Sequence, residues 1–297
     1  MDILLATVAA VFFAAGSVTA KRGMQNTSVI AALMIVSGVA AVILGIVVAF
    51  DPPHGVTLTA VVLFAVAGLA GDGIGRFSLL GAVDRLGPST AIPIQTATYP
   101  LIAVTGGIVV LSEEVSILQG AGAFTIVAGI WILLGSHMGV PVADDVVEPE
   151  RKVRRFSVLV LPVIAGVGFA VADLFRKLGL GETPDPAFGA LVAVTSMLLM
   201  TAVFVGSVPK MRSQIRVGPG WGWLVVAGAS IAAALLALFE ALDGGSVSVV
   251  GPIIAAQPLA VVGLSWALLH NIERVTPRMV AGAALVVVGV VLIAAGT

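Results

Sequence analysis

The sequence contains no cysteine and few charged residues, with 15 Lys and Arg and 16 Asp and Glu in 297 residues. The absence of cysteine excludes disulfides and thiolate metal sites, and the three histidines form no metal-binding pair of the HExxH kind. Charged residues make up only 10% of the chain, against about 25% in soluble domains. We therefore expect a membrane protein that has no metal, no cofactor and no nucleic-acid partner.

Long apolar runs occupy most of the chain, which is 59% hydrophobic with a mean hydropathy of +1.14. The runs cover residues 3–20, 29–50, 57–82, 88–111, 117–135, 157–178, 187–207, 221–242, 246–269 and 276–296. Each is about long enough to cross a hydrocarbon core of roughly 30 Å as a helix. The first run begins beside Asp2 rather than a basic residue, so we interpret it as a retained helix and not a signal peptide. The pattern predicts an all-α integral membrane protein with ten transmembrane helices, multi-pass in the cell membrane.

A polar, charged linker at residues 136–156 divides the chain into halves, 1–135 and 157–297, with five predicted helices each. The halves align at shifts of 156 to 160 residues, and the ordered series of matches indicates a repeat. Among the aligned pairs are Phe13 and Phe169, Lys21 and Lys177, Glu113 and Glu273, Gly122 and Gly282, and Gly129 and Gly289. Because five is odd, each half ends on the side opposite to its start, so the second half is expected to be inverted relative to the first. Inverted repeats are typical of secondary transporters, which bind solute between the halves near the middle of the membrane.

These repeats resemble the EamA family of the drug/metabolite transporter superfamily. The residues that carry the resemblance are Pro100, Glu113, Ser116, Gly122, Ala123 and Gly129 in the first half, and Pro258, Glu273, Thr276, Gly282, Ala283 and Gly289 in the second. The stretch FSLLGAVDRLGPSTAIPIQTATYPL also resembles the region of helices 3 and 4 in that family. The resemblance implies a ten-helix carrier, not an enzyme, with a central cavity lined mainly by helices 3, 4, 8 and 9. The resemblance does not identify the transported solute.

Basic residues concentrate in the odd-numbered connections between the predicted helices. These connections hold Lys21, Arg22, Arg85, Arg151, Lys152, Arg154, Arg155, Lys210, Arg212, Arg216, Arg274 and Arg278, whereas the even-numbered ones hold Arg176 and Lys177. The positive-inside rule then places both termini outside the cell. The resemblance favours both termini inside, so the orientation stays open.

Asp72 and Arg76 interrupt the third apolar run, one helical turn apart and therefore on one face. Burying either charge alone costs roughly 2.5–3.5 kcal/mol on insertion scales, so the two residues pair, face a watery cavity, or do both. One interpretation is an ion pair that fixes helix packing, and the other is a solute site in which Arg76 binds a carboxylate or phosphate. Asp173 and Lys177 repeat the spacing on the sixth run, where we expect them to anchor the helix at the membrane interface.

Two proline-interrupted stretches, IPIQTATYP (92–100) and GPIIAAQP (251–258), occupy equivalent places in the two halves. Paired interrupted helices of this kind are a pointer to a transport site. The predicted substrate-binding residues are Asp72, Arg76, Phe77, Gln95, Tyr99, Glu240, Gln257 and Trp266, and the predicted helix-breaking residues are Pro93, Pro100, Pro252 and Pro258. Within this set, Phe77 and Trp266 are expected to form apolar walls, and Glu240 is a candidate proton-coupling carboxylate.

The sequence thus predicts a secondary active transporter, an exporter of an amino acid-like or other small polar solute, working by alternating access between the repeats. Its partners would be the solute and the lipid bilayer, with protons as a candidate coupling ion, while the oligomeric state stays open. The alternative is a passive membrane channel or a sensory membrane module. Saturation and counterflow distinguish these classes, because a carrier shows both and a pore shows neither.

Overall fold

The computed structural model describes residues 1–135, 148–213, 215–269 and 277–296, and within these ranges the ordered elements are all helices. The first half contains α1 (Asp2–Gly23), α2 (Val29–Phe50), α3 (Leu58–Leu86), α4 (Pro88–Leu111) and α5 (Ile117–Gly135). The second half contains α6 (Glu148–Glu182), α7 (Pro186–Ser207), α8 (Trp221–Gly244), α9 (Val247–Ile254), α10 (Gln257–Leu269) and α11 (Pro277–Ala295), with a one-turn helix at Pro209–Arg212. Most of the predicted linker, together with Glu273 and Thr276, lies outside the described residues.

Several helices begin at residues whose side chains cap a backbone N–H group. The hydroxyl of Ser28 accepts from the amide of Ala31 at the start of α2, and the hydroxyl of Thr57 accepts from that of Ala60 at the start of α3. At α7, the Asp185 carboxylate accepts from the backbone N–H of the third helical residue at 2.9 Å. Such caps satisfy amides that have no partner within the helix. Polar residues between the apolar runs, such as Ser28, Thr57 and Asp185, therefore mark the starts of helices.

Seven described helices are long and apolar enough to cross a membrane. They are Asp2–Gly23, Val29–Phe50, Leu58–Leu86, Ile94–Leu111, Leu159–Glu182, Pro186–Ser207 and Trp221–Gly244. Three shorter apolar helices, Ile117–Gly129, Val247–Val261 and Ala284–Ile293, fall in the other predicted runs. The prediction of an all-helical membrane protein is confirmed at this level, while the number of ten spans is not established by helix length.

The equivalent helices α5 and α11 pack against each other through glycines. A Cβ atom built on Gly122 would lie 2.6 Å from the carbonyl oxygen of Gly289, and one built on Gly289 would lie 2.6 Å from that of Gly122. Two turns further along, a Cβ on Gly129 would lie 2.7 Å from the carbonyl oxygen of Gly282. Residue numbers rise along one helix as they fall along the other, so the two helices are antiparallel. The contacts are reciprocal, which is the pattern of a two-fold relation.

The equivalent lysines bond the carboxyl ends of the third helix in each half. Lys21 Nζ donates to the carbonyl oxygen of Asp84 at 2.6 Å, and Lys177 Nζ donates to that of Leu242 at 2.7 Å. A lysine ammonium near the end of a helix satisfies carbonyls that lack an internal partner and interacts favourably with the helix dipole. The same local contact is thus built twice, once in each half.

Both ends of the described chain lie on one side of the bundle. Asp2 packs against Gly244, and the carboxylate of Glu113 accepts from the backbone N–H of Val247 at 2.7 Å. Three residues after Glu113, the hydroxyl of Ser116 donates to the carbonyl oxygen of Gly296 at 3.2 Å. These contacts connect the start of α1, the loop between α4 and α5, and the end of α11.

Replacing Gly122 with alanine is expected to destabilise the protein because the added methyl group would meet backbone atoms of α11, which cannot move independently. Overpacking of this kind typically costs about 1–3 kcal/mol. The matched control is Gly120→Ala on the same helix, where a Cβ would meet nothing within 4 Å and alanine improves helix propensity. Thermal unfolding in detergent should show a lower Tm for Gly122→Ala only. Equal effects of the two changes would contradict this packing.

Candidate functional site

The middle of α3, Gly68–Gly75, is π-helical and contains Asp72. The backbone N–H of Arg76 bonds to the carbonyl of Gly71, five residues earlier, instead of following the regular α-helical pattern. Wide turns of this type recur at functional sites within helices. The sequence predicted an uninterrupted α-helix here. The structure differs at the glycine-rich segment GLAGDGIG, which is π-helical.

Glycines let α3 and α6 approach closely at this segment. A Cβ atom on Gly71 would lie 2.7 Å from that of Ala172 and 3.1 Å from Nη2 of Arg176. A Cβ on Gly168 would lie 2.7 Å from the carbonyl oxygen of Ala70. The small residues therefore bring the charged side chains of α3 and α6 within bonding distance of each other.

Four charged side chains and a tyrosine form one hydrogen-bonded network in the interior. Asp72 Oδ1 accepts from Arg76 Nη2 at 2.6 Å and from its Nε at 3.2 Å. The other oxygen, Oδ2, accepts from Arg176 Nη2 at 3.0 Å. Arg176 Nη1 donates to Asp173 at 2.5 Å, and the hydroxyl of Tyr99 donates to the second oxygen of that carboxylate.

The network is almost completely buried and has no net charge. Asp72 is 0% exposed, Arg76 5%, Asp173 1% and Arg176 2%. Two guanidinium groups balance two carboxylates, which reduces the large cost of removing single charges from water. The ion pair between Asp72 and Arg176 joins the first half of the chain to the second. We refer to these four residues with Tyr99 as the charged network.

Aromatic rings surround both guanidinium groups. The Cζ atom of Arg76 lies 5.9 Å from the ring centroid of Phe13 and 5.8 Å from that of Phe169. These two phenylalanines are equivalent at the shift of 156 residues, so each half supplies one ring to the same arginine. Arg176 lies 5.4 Å from the ring centroid of Phe239. The rings favour cations at these positions and shield them from lipid.

A cavity of about 420 Å³, counted with the space at its open mouth, lies beside the charged network. It is lined by Phe13, Ser17, Arg76, Leu79, Gln95, Tyr99, Phe169, Asp173, Arg176, Leu238, Ile254 and Gln257. These residues come from both halves of the chain. Small-molecule sites likewise combine apolar walls with a few polar groups.

The predicted site residues divide into those at the cavity and those away from it. Arg76, Gln95, Tyr99 and Gln257 line the cavity, and Asp72 lies behind Arg76 as its ion-pair partner. Phe77 is 42% exposed and Glu240 is also exposed, and neither is among the residues that line this cavity. Phe77 directly follows the buried Arg76, and Glu240 directly follows the buried Phe239. Neighbouring residues of a helix point in different directions, so Phe77 and Glu240 face outward. The side chain of Trp266 lies outside the described residues.

The prolines behave differently in the two halves. α4 continues from Pro88 to Leu111, so Pro93 and Pro100, predicted to be helix-breaking, lie within one continuous helix. A proline inside a membrane helix removes one backbone bond without ending the helix when neighbouring groups cover the freed carbonyl. In the second half, α9 ends at Ile254 and α10 begins at Gln257, between the buried Pro252 and Pro258. The side chain of Pro93 lies outside the described residues.

Asp173 and Arg176 are functional candidates that sequence reasoning missed. The sixth predicted span ended at residue 178, which placed both at the membrane interface, whereas α6 continues to Glu182 and buries them. Two opposite charges about one helical turn apart within an apolar run were the available signal, at i, i+3 here and at i, i+4 for Asp72 and Arg76. The structure places Asp173 in the buried charged network, and its anchoring at the membrane interface stays a prediction.

Two buried side-chain atoms in the described part of the chain have no hydrogen-bond partner, Gln95 Oε1 and Arg176 Nε. Both residues line the cavity, and Gln95 is 4% exposed. One atom is an acceptor and the other a donor. Buried polar atoms without partners are rare in proteins, so these two atoms mark places beside the charged network where a hydrogen-bond partner is missing.

Comparisons with known proteins agree with this architecture. The profile of the EamA-like transporter family matches residues 1–135 and 156–295. A protein of known crystal structure is similar over 99% of this chain and 98% of its own, at 18% sequence identity and a TM-score of 0.72. At that identity the likeness concerns the fold alone. None of the curated proteins matches the sequence.

Replacing Arg176 with methionine is expected to destabilise the protein strongly. The change removes the partner shared by Asp72 and Asp173, and it leaves the buried Asp173 carboxylate without its arginine while Asp72 keeps Arg76. Breaking a buried ion pair in this way costs about 3–5 kcal/mol. Thermal unfolding in detergent measures the loss, with Arg85→Met, at an exposed position of α3, as the control. Similar Tm values for the two variants would show that the network does not stabilise the fold.

Proposed function

This chain belongs to the EamA-like transporter family, and on that premise we propose that it is a secondary active transporter of a small polar solute. The observation that carries the proposal is the cavity whose lining includes polar residues from both halves of the chain. A site between two repeats allows access to alternate between the membrane sides when the repeats rock against each other. The polar and apolar residues that line the cavity would hold the solute while the repeats rock.

We also propose that the chain crosses the membrane ten times, as inverted five-helix repeats at 1–135 and 157–297 joined by the linker 136–156. The antiparallel packing of α5 on α11 supports the inversion, because equivalent helices of inverted repeats run in opposite directions. An even number of crossings agrees with the contacts that bring both chain ends to one side. In this arrangement α9 and α10 together make one crossing.

The proposed binding residues are Arg76, Gln95, Tyr99 and Gln257, with Asp72 as the residue that positions Arg76. Arg76 would bind an anionic group of the solute, since a guanidinium matches a carboxylate well. The amides of Gln95 and Gln257 would bind its other polar groups. An amino acid-like solute fits this set, and we propose export as the direction of transport.

Arg76→Ala is expected to abolish transport because it removes the proposed anchor while Asp72 keeps Arg176 as a partner. The measurement is counterflow in liposomes containing the purified protein, tested with a panel of labelled amino acids and other small polar solutes. Ile74→Ala is the matched control, since Ile74 lies two residues away and is 56% exposed. Unchanged counterflow in Arg76→Ala would remove Arg76 from the site. Flux without saturation or counterflow in the wild type would indicate a pore instead of a carrier.

Protons are the proposed coupling ion, because the cavity contains a carboxylate, Asp173, that could bind one when its arginine partner binds the solute. Coupling predicts that a pH gradient imposed across the liposome membrane drives solute accumulation against its own gradient. Dissipating the gradient with a protonophore should end the accumulation. Solute movement that ignores the pH gradient would point to uniport or exchange.

A further inference from the structure

We propose that Glu113 is a latch that keeps the bundle closed on the side where both chain ends lie, and that the hydroxyl of Ser246 takes its place when that side opens. The inference rests on the transporter function proposed above and adds a conformational switch to it. It depends on the start of α9, whose amides bond to a residue from the other half of the chain.

The start of α9 is capped from across the boundary between the halves. One carboxylate oxygen of Glu113 accepts from the backbone N–H of Val247 at 2.7 Å, and the other accepts from that of Ser248 at 2.8 Å. These amides belong to the first turn of the helix, where N–H groups have no partner within the helix. A carboxylate at this end also interacts favourably with the helix dipole. The first half of the chain thus supplies the cap of a helix in the second half.

A second capping group lies beside this contact and is not used as a cap. Ser246 directly precedes α9, at the position where serine is a preferred cap, yet among the described residues its side chain accepts from no amide of the helix. Its hydroxyl accepts instead from the hydroxyl of Ser248 at 3.2 Å. When Glu113 withdraws, Ser246 can bond the amide of Ser248, because a capping serine accepts from the second or third residue of its helix. The helix start therefore has one cap for each of two states.

The end of α4 fixes the direction of Glu113. Ser112 ends the helix in the left-handed backbone conformation, with φ 54° and ψ 35°, and the backbone N–H of Glu113 bonds back to the carbonyl of Gly107 at 3.0 Å. A left-handed residue is common at a helix end, although glycine usually takes that position. A Cβ on Gly107 would clash with the Glu113 carboxylate, so the glycine leaves the space that the carboxylate fills. The carboxylate is therefore tied to α4, and its bonds connect α4 to α9.

The latch lies at the end of a seam of small residues between α4 and α9. A Cβ on Gly251 of α9 would lie 2.9 Å from that of Ala103 of α4, and both residues are buried. One turn further into the bundle, Tyr99 of α4 and Ile254 of α9 line the cavity. Small residues bring two helices close without interlocking large side chains. Separating α4 from α9 along this seam would open the cavity to the side of the chain ends, and it requires Glu113 to leave α9.

Distances between spin labels test the latch directly, since the chain contains no cysteine that would have to be removed. The labels are attached at Val109→Cys in α4 and Asp243→Cys at the end of α8, which are both exposed. Glu113→Ala removes both acceptors and should add a longer distance to the wild-type distribution. Glu113→Gln keeps one acceptor without the charge and should raise the ratio of long to short distances by about fivefold or more, because charged acceptors bond more strongly. The matched control, Glu114→Ala at the exposed neighbouring position, should keep the wild-type distances.

Two further variants act on the latch without changing Glu113 alone. Gly107→Ala should displace the carboxylate while its charge remains, and it should therefore also add the longer distance. Ser246→Ala, added to Glu113→Gln, removes the alternative cap and should lower the proportion of the longer distance below that of Glu113→Gln. If Glu113→Ala does not fold, these variants and Glu113→Gln still test both caps.

The outcomes separate the latch from an ordinary helix cap and from the proposed transport function. Wild-type distances in the Glu113 and Gly107 variants would overturn the latch even if Tm falls, because a cap that only stabilises the fold leaves the separation of α4 and α9 unchanged. The same shift in Glu114→Ala would also overturn it. A longer distance that persists undiminished when Ser246→Ala is added would overturn the exchange of caps. Distances that shift as expected in a protein without counterflow would count against transport and leave the latch in place.

Discussion

One buried ion pair, between Asp72 of α3 and Arg176 of α6, holds the two halves of the chain together in the interior. Each partner has a second charged contact, Arg76 for the aspartate and Asp173 for the arginine. Charges removed from water are tolerated only when close partners compensate them. The separation of α3 and α6 is therefore restricted to what this chain of bonds allows, and the cavity forms beside it.

Small residues make that arrangement possible. The π-helical segment of α3 and the glycines where it meets α6 let the two backbones come close enough for their short-range ion pairs. Helix pairs in membranes commonly associate through such small residues, since lipid offers little hydrophobic driving force between helices. On the far side of the bundle, Gly122 and Gly289 give α5 and α11 the same close contact. The fold thus places glycines at both of these helix crossings.

Much of the architecture could be predicted from the sequence, because membrane helices and repeats leave local patterns. The proline-interrupted stretches singled out Gln95, Tyr99 and Gln257, and the cavity lining includes all three. Phe77 and Glu240 were assigned to the cavity on residue type alone, and their exposure depends on which face of each helix packs inward. That face is set by contacts with other helices, which a strongly apolar run does not encode because all its sides are hydrophobic.

The sequence by itself determined that this is a helical membrane protein of two similar halves, since apolar run length and repeat spacing are read along the chain. It also identified Asp72 and Arg76 as charges that required compensation. Only the tertiary structure decided that Asp72 is shared with Arg176, 104 residues away, and that two equivalent phenylalanines flank Arg76. Partners at such separations depend on which helices pack together and at what depth, and neither is encoded in the local pattern around Asp72 or Arg176.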